Sequence, residues 1–417
     1  MNTMRTTQHT PKSTGRHIAF FNYPAHGHVN PTLPVVAELV ARGHRVTYVV
    51  ASHFADVVAA TGAEVIAYES LVPKQWNTEA IPSKITGDHL AEAAIAHLRE
   101  ALEPLPEVER RLGDDRPELM VYDAFGYAAG RLLARTWKVP SVTLATTFVA
   151  NETVNPYAKL AGTVEPPDPG HPALARYAEL LRTTLDAHGL TGVSNEEFAG
   201  APEERTVVFV PPEFQPGIES FDERHVFVGP CIGDRAHQGE WRPPTGERPV
   251  VLVALGSFGY ENQAGFYRDA LDALADLPWH VVMSLGGLVT PEDLGPLPPN
   301  VEARPWVPQL AVLEKASAFV SHAGMGSTME ALYHGVPPVV VPRTGEQELV
   351  AERVTELGLG RSVAPGEVTA DRLRSAVLGL AVDGRAQRRV GRLARSLVER
   401  RGPALAADAI EARLEGP

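Results

Sequence analysis

A chain of 417 residues exceeds what one hydrophobic core organises and points to two domains of roughly 200 residues each. Its 44% hydrophobic and 21% charged residues exclude a disordered chain, and a formal net charge of −13 without a dense Lys/Arg run excludes a surface that tracks nucleic-acid phosphates. The single cysteine, Cys231, excludes an internal disulfide and a thiolate metal cluster, and no apolar run approaches the ~18 residues that span a bilayer, so a cytoplasmic protein with neither nucleic acid nor membrane as partner is expected.

Residues 1–16 carry charge but no apolar h-region and read as a disordered leader, not a secretory signal. The apolar run HIAFFN (17–22) suits a buried strand. Asn30 and Pro31 read as an N-cap and first-turn proline; Leu33, Val36, Leu39 and Val40 recur at helical spacing, Gly43 closes the helix, and RVTYVV (45–50) is a second strand. This βαβ unit predicts parallel strands covered by helices. LMVYD (119–123), a helical pattern over 124–136 and SVTLA (141–145) continue it, giving a doubly wound first domain over residues 17–228. Residues 229–249, rich in Gly, Pro and charge, read as an interdomain linker. A second α/β pattern fills residues 250–388, with strand candidates PVVLVALGS, WHVVMSLGG, FVSHAG and PPVVVP. The arginine-rich QRRVGRLARSLVERR (387–401) reads as a solvated helical face and interdomain contact.

Ligands of open α/β sheets lie at the carboxyl ends of strands, and two such ends echo each other: YPAHGHVN (23–30) and SHAGMGSTMEALYHG (321–335). In the second, Gly324 and Gly326 leave the backbone uncovered, and Ser327 and Thr328 open a helix whose free N–H groups favour an anion. His322 adds a donor, and Glu330 is a carboxylate able to accept from vicinal hydroxyls such as those of a ribose. Met329 occupies the third glycine position of G-x-G-x-x-G and no acidic residue follows the strand at Val50, which disfavours a nicotinamide cofactor; a Walker-type G-x-x-x-x-G-K-[ST] is also absent. Trp306, in RPWVPQL, is open to two readings, a half-buried core residue or a flat surface for a nucleobase. His28 has three: a polar loop residue, one half of an HxH metal site that lacks a third ligand, or a general base oriented by a carboxylate, for which Asp123 at the end of LMVYD is the candidate.

HGHVNP (26–31), VYD (121–123), WVPQL (306–310), HAGMGSTMEAL (322–332) and the Glu346-Gln347 pair together resemble the family 1 nucleotide-sugar glycosyltransferases, above all the bacterial enzymes that glycosylate macrolide antibiotics. The resemblance runs over nearly the whole chain after Arg16. It implies two Rossmann-like domains facing across a cleft (GT-B), the N-terminal one binding acceptor and the C-terminal one nucleotide sugar, with helices of residues 389–417 crossing back to the N-terminal domain. It implies His28 as general base and Asp123 as its orienting acid, and Trp306 stacking the base with Val307 and Gln309 in the same motif. Ser257, His322 and Ser327 would contact the pyrophosphate on the loop that includes Gly324, Gly326 and Thr328; Glu330 would hold the ribose, and Glu346 with Gln347 the sugar hydroxyls. No cofactor or metal is implied, in keeping with the lack of a D-x-D motif; the co-substrate would be UDP-glucose, with a dTDP-sugar as alternative, and transfer would invert the anomeric carbon.

Glu346 stands in place of the more frequent Asp, Val350 where relatives carry Asn, and Gly287 where close relatives have Arg, departures that bear on the donor end. Segments 71–90 and 148–172 mix aromatics with loop signals, so Trp76, Phe125, Tyr127, Phe148 and Tyr157 read either as acceptor-pocket walls or as core and surface. A large apolar alcohol such as a macrolide, glycosylated for inactivation or self-resistance, is the expected acceptor of a monomer or homodimer; a phenol or flavonoid comes next. A sugar-nucleotide epimerase or a non-catalytic auxiliary protein shares the architecture.

Overall fold

The computed structural model describes residues 15–71, 80–82, 84–160, 165–200, 204–244, 246 and 248–415. The first seven strands, β1 (His17–Phe21), β2 (Arg45–Ala51), β3 (Glu64–Tyr68), β4 (Leu119–Asp123), β5 (Ser141–Ala145), β6 (Thr206–Val208) and β7 (His225–Phe227), form one sheet in the order β3-β2-β1-β4-β5-β6-β7. The next six, β8 (Val250–Ala254), β9 (His280–Ser284), β10 (Val301–Arg304), β11 (Ala316–Ser321), β12 (Pro338–Val340) and β13 (Arg361–Ser362), form a second in the order β10-β9-β8-β11-β12-β13. All pairings are parallel. Every residue of β1, β4, β8 and β9 is buried, because helices cover both faces; this is why the strands read as continuous apolar runs without alternation.

Each sheet reverses its winding beside its first strand. β1 is flanked by β2 and β4, and β8 by β9 and β11, so each domain has a crevice at the carboxyl end where successive connections diverge.

The first helix begins earlier than expected. It runs His26–Ala41, with Ala25 as an extended N-cap that makes no side-chain cap bond, and Pro31 and Pro34 lie inside it. The prolines leave the carbonyls of Gly27 and Asn30 without their usual i+4 donors. The helix persists because Val29, Leu33, Val35, Val36 and Leu39 are all buried against the sheet. Its far end meets the expectation: Gly43 has φ +93°, with Gly43 N donating to Val40 O and His44 N to Leu39 O, a Schellman closure that only a left-handed residue permits without strain. The pattern read over 124–136 becomes a helix over Ala128–Trp137.

The two domains share apolar contacts. Ala145, Phe148, Val208, Phe214 and Phe227 from the first half pack in one cluster with Met329, Leu332, Val350 and Val354 from the second. The helix Gly384–Arg400 adds Val390, Leu393 and Leu397 to that cluster while Arg385, Arg388, Arg392 and Arg395 face solvent. The chain then reverses at Arg401 (φ +52°), and the helix Gly402–Glu411 crosses back to pack Ala406, Ala407 and Ile410 against the first domain's core. The segment 229–249 is not a free tether: Cys231 is buried in the first domain's core and Trp241 in the second's.

Ile410 is fully buried where this returning helix meets the first. Ile410→Ala is expected to cost about 2–4 kcal/mol. Denaturant titration checks this; an unshifted midpoint would show that the returning helix contributes nothing to the cooperative core.

Candidate active site

The crevices of the two sheets face each other. A Cβ placed on Gly326 would lie 3.9 Å from Gly27 Cα, so the N-termini of the helices His26–Ala41 and Met325–Tyr333 meet backbone to backbone across a cleft of about 500 Å³.

On the N-terminal wall, β1 and β4 pair with Phe21 beside Tyr122, so the residues that follow them emerge side by side. His28, in the first turn of its helix, thereby comes within reach of Asp123, 95 residues further along the chain. His28 Nδ1 lies 2.8 Å from Asp123 Oδ2. Asp123 is 1% exposed, and its Oδ1 accepts from Phe125 N (2.7 Å) and Gly126 N (3.3 Å). As an acceptor, this carboxylate assigns the proton to Nδ1. Nε2 is then the basic nitrogen of a side chain that lines the cleft. Burial pushes the imidazolium down, but the charge and hydrogen bond of Asp123, with a smaller push from Glu346, outweigh it and hold His28 above its ordinary value. The edges of Tyr23 (5.4 Å between centroids) and the tilted ring of Phe125 (5.6 Å) brace the imidazole.

The C-terminal wall is built by the loops after β8 and β11. Ala323, with φ +64°, makes the sharp turn from β11 into the helix Met325–Tyr333, whose first N–H groups are free of helical partners. The His322 ring lies between Gly256 and Gly324: a Cβ on Gly256, which has φ +83°, would fall 2.6 Å from its Cε1, and one on Gly324 would collide with its Nε2. Burial holds His322 down to about 4 against an opposing backbone hydrogen bond with Ala254, so the ring is neutral at ordinary pH; its Nδ1 has no partner among the described residues. Gln309 Nε2 donates to Glu330 Oε2 (2.6 Å) and lies 3.3 Å from Ser327 Oγ. Glu346 Oε1 accepts from Thr147 Oγ1 across the cleft (2.7 Å). Both ends of the Gln347 amide are engaged, by Arg343 N and by the Tyr260 hydroxyl (2.8 Å each).

Of the residues singled out in the sequence, His28, Ser257, Trp306, Val307, Gln309, His322, Gly324, Gly326, Ser327, Glu330, Glu346 and Gln347 line this one cleft, with Asp123 directly behind His28. Trp306 lines the cleft and joins none of the core clusters, with the ring of His26 6.2 Å from it, so the core alternative is not the one the structure adopts. Thr328 is fully buried inside its helix and does not reach the cleft. The aromatic set separates. Phe125 is exposed beside His28, and Tyr157 bonds Phe148 O (2.9 Å) near Glu346. Tyr127 turns away to Tyr177, Phe198 and the Arg131 guanidinium, and Phe148 is buried on Phe214, because both rings find apolar partners off the cleft. Trp76 lies outside the described residues. Val350 is fully buried in the shared core, so it has no part in donor contact, and Gly287 is exposed off the cleft. Not foreseen were Thr147, Tyr260, His26 and Arg235; only His26, within HxH, carried a signal in the sequence. Among the described residues no three His, Cys, Asp or Glu side chains converge as metal ligands, and no helix is long and apolar enough to cross a membrane.

This geometry has relatives. The family described as erythromycin biosynthesis protein CIII-like, C-terminal domain, matches residues 268–412. The oleandomycin glycosyltransferase of Streptomyces antibioticus is 41% identical over 412 residues, 97% of this chain and 92% of that relative. The demethyllactenocin mycarosyltransferase of Streptomyces fradiae is 36% identical over 408 residues, 95% of this chain and 86% of the relative. The crystal structure of the calicheamicin glycosyltransferase CalG4 superposes with a TM-score of 0.81 at 41% identity, covering 96% of this chain and 99% of that one. Two facing parallel-sheet domains with nucleotide-type loops on one wall define a GT-B glycosyltransferase. The chain belongs to this family of nucleotide-sugar glycosyltransferases, among the relatives of the macrolide enzymes.

Because Asp123 is the main influence raising His28 against burial, Asp123→Asn is expected to lower the imidazole titration midpoint below its ordinary 6.5, as followed by NMR of the ring protons. An unmoved midpoint would separate the two groups electrostatically.

Proposed function

We propose that the protein is an inverting O-glycosyltransferase that moves a hexose, glucose from UDP-glucose in the first instance, to a hydroxyl of a large apolar natural product such as a macrolide. The observation that carries this reading is the His28–Asp123 pair on one wall of a cleft whose other wall holds Trp306, His322, Ser327 and Glu330. An alcohol is a poor nucleophile until a positioned base takes its proton as attack begins. His28 Nε2 takes that proton and Asp123 stabilises the imidazolium. The acceptor oxygen bonds to the anomeric carbon as the bond to the diphosphate oxygen breaks on the opposite face, so an α-linked donor gives a β-glycoside. Negative charge grows on the diphosphate, where the helix N-terminus at Met325 and the neutral His322 ring meet it with N–H groups. Those donors supply what a cation would, so the reaction runs without a metal.

The preference for UDP rests on Glu330, a carboxylate placed to accept from a ribose 2′-hydroxyl. The macrolide acceptor draws support from the relative named for oleandomycin. A second reading, transfer of a deoxysugar from a dTDP donor in biosynthesis, draws on the relative named for a mycarosyl group. Work on nucleotide sugars suits a cytoplasmic enzyme.

UDP-glucose, UDP-galactose and dTDP-glucose, each offered with macrolides, flavonoids and simple phenols, test the proposal by product mass. The largest yield is expected from UDP-glucose with a macrolide, unchanged by EDTA, with the anomeric coupling of a β-linkage; no product from any pair would sink it. His28→Ala is expected to cut turnover by roughly 10²–10⁴-fold while calorimetric binding of UDP-glucose survives. Full transfer by that variant would remove the base.

A further inference from the structure

Glu330 is 6% exposed and both of its carboxylate oxygens are already engaged by side chains from distant parts of the chain. Arg235 Nη2 donates to Oε1 at 2.5 Å, and Gln309 Nε2 donates to Oε2 at 2.6 Å. Arg235 belongs to the interdomain segment, where a charged side chain would be expected in water, yet its side chain is only 9% exposed. Desolvating a guanidinium is costly unless it is paired, and this one is paired with a carboxylate on the nucleotide wall of the cleft. The segment is anchored on both sides of it. Cys231 sits in the N-terminal core, and Trp241 is buried in the C-terminal core with its Nε1 donating to Glu302 Oε1 at 2.5 Å.

We propose that Arg235 is a positioning and specificity-determining residue for the nucleoside: it fixes the Glu330 carboxylate so that its remaining acceptor sites receive the vicinal 2′ and 3′ hydroxyls of a ribonucleoside diphosphate. This rests on the nucleotide-sugar reading above. An ionised carboxylate offers about four lone-pair sites over two oxygens. Arg235 takes one on Oε1 and Gln309 one on Oε2, which leaves one on each oxygen, the number a cis-diol requires. A 2′-deoxynucleotide would leave one of them buried and unfilled, the kind of mismatch by which a site made for a hydroxyl rejects an analogue lacking it. The guanidinium also offsets a carboxylate that would otherwise repel the incoming diphosphate. Recognition of the ribose thereby depends on the segment that joins the domains, since Arg235 reaches Glu330 only with that segment in place. Lysine would restore the charge without the planar fork.

Calorimetry with UDP and 2′-deoxy-UDP on the full chain tests this. The unaltered protein is expected to favour UDP by about tenfold or more. Arg235→Ala is expected to weaken UDP by about tenfold and bring the UDP to 2′-deoxy-UDP ratio close to one, while Arg235→Lys recovers part of the affinity but not the ratio. In turnover the loss falls on KM for the nucleotide sugar more than on kcat, and on a Glu330→Gln background Arg235→Ala adds no further loss. Unchanged or tighter UDP binding by Arg235→Ala, or an unchanged ratio in Arg235→Lys should the alanine variant not fold, overturns the inference and leaves the nucleotide-sugar reading standing. If the unaltered protein binds neither UDP nor 2′-deoxy-UDP, that reading fails and this one with it.

Discussion

One hydrogen bond, from His28 Nδ1 to Asp123 Oδ2, rests on the winding of the whole N-terminal sheet and orients the imidazole that the cleft is built around. It needs β1 and β4 to be neighbours, which the winding order of the sheet provides and nothing local could. It needs the almost wholly buried Asp123 carboxylate to be satisfied by donors, which two backbone amides and the imidazole itself provide. It also needs the imidazole fixed in rotation, which follows from placing His28 in the first turn of a helix and bracing it with Tyr23 and Phe125. A loop histidine at the same spot would sample many orientations, and its basic nitrogen would face the cleft only part of the time.

The second wall has meaning only if the domains hold a fixed distance, and apolar packing does most of that work. Residues of both halves share a buried cluster, reinforced by a helix that joins it and another that returns to the N-terminal core. Among the polar bridges between halves, that of Lys159 with Glu352 is exposed on both sides and contributes little in water. Two others are better placed to set the gap itself. Ile81 pairs by backbone with Gly259 and Glu261, and Thr147 donates to Glu346 at the rim of the cleft.

What could be read in the sequence, and what could not, divides along the same physical line. Continuous apolar runs, glycine at a helix end and the loop 321–335 are local signals, and they led to strands, to a helix end and to residues that line one wall of the cleft. The helix starts ahead of Asn30 and Pro31 although these are strong local N-terminal signals, because burial of Val29 and its neighbours, a tertiary effect, carries it back to His26. Tyr127 and Phe148 sit among loop signals that suggest a pocket wall, yet an aromatic ring gains more from an apolar neighbour than from a wet cleft, and each found one. Arg235 was illegible because a lone charge in a Gly/Pro-rich segment looks like every other solvated linker residue. Only the three-dimensional path from Cys231 to Trp241 brings it to Glu330.

Glu346 joins the two walls electrostatically. It lies on the C-terminal domain, accepts from Thr147 of the other domain, and its charge reaches His28 strongly enough to add to the effect of Asp123. Asp123 acts from within the same sheet and is constant. Glu346 acts only across the cleft, so its share in the basicity of His28 exists only while the domains stand this close. The protonation of His28 is accordingly tuned by the assembled two-domain arrangement, in which the Glu346 carboxylate on the far wall adds to Asp123 against the burial that opposes them both.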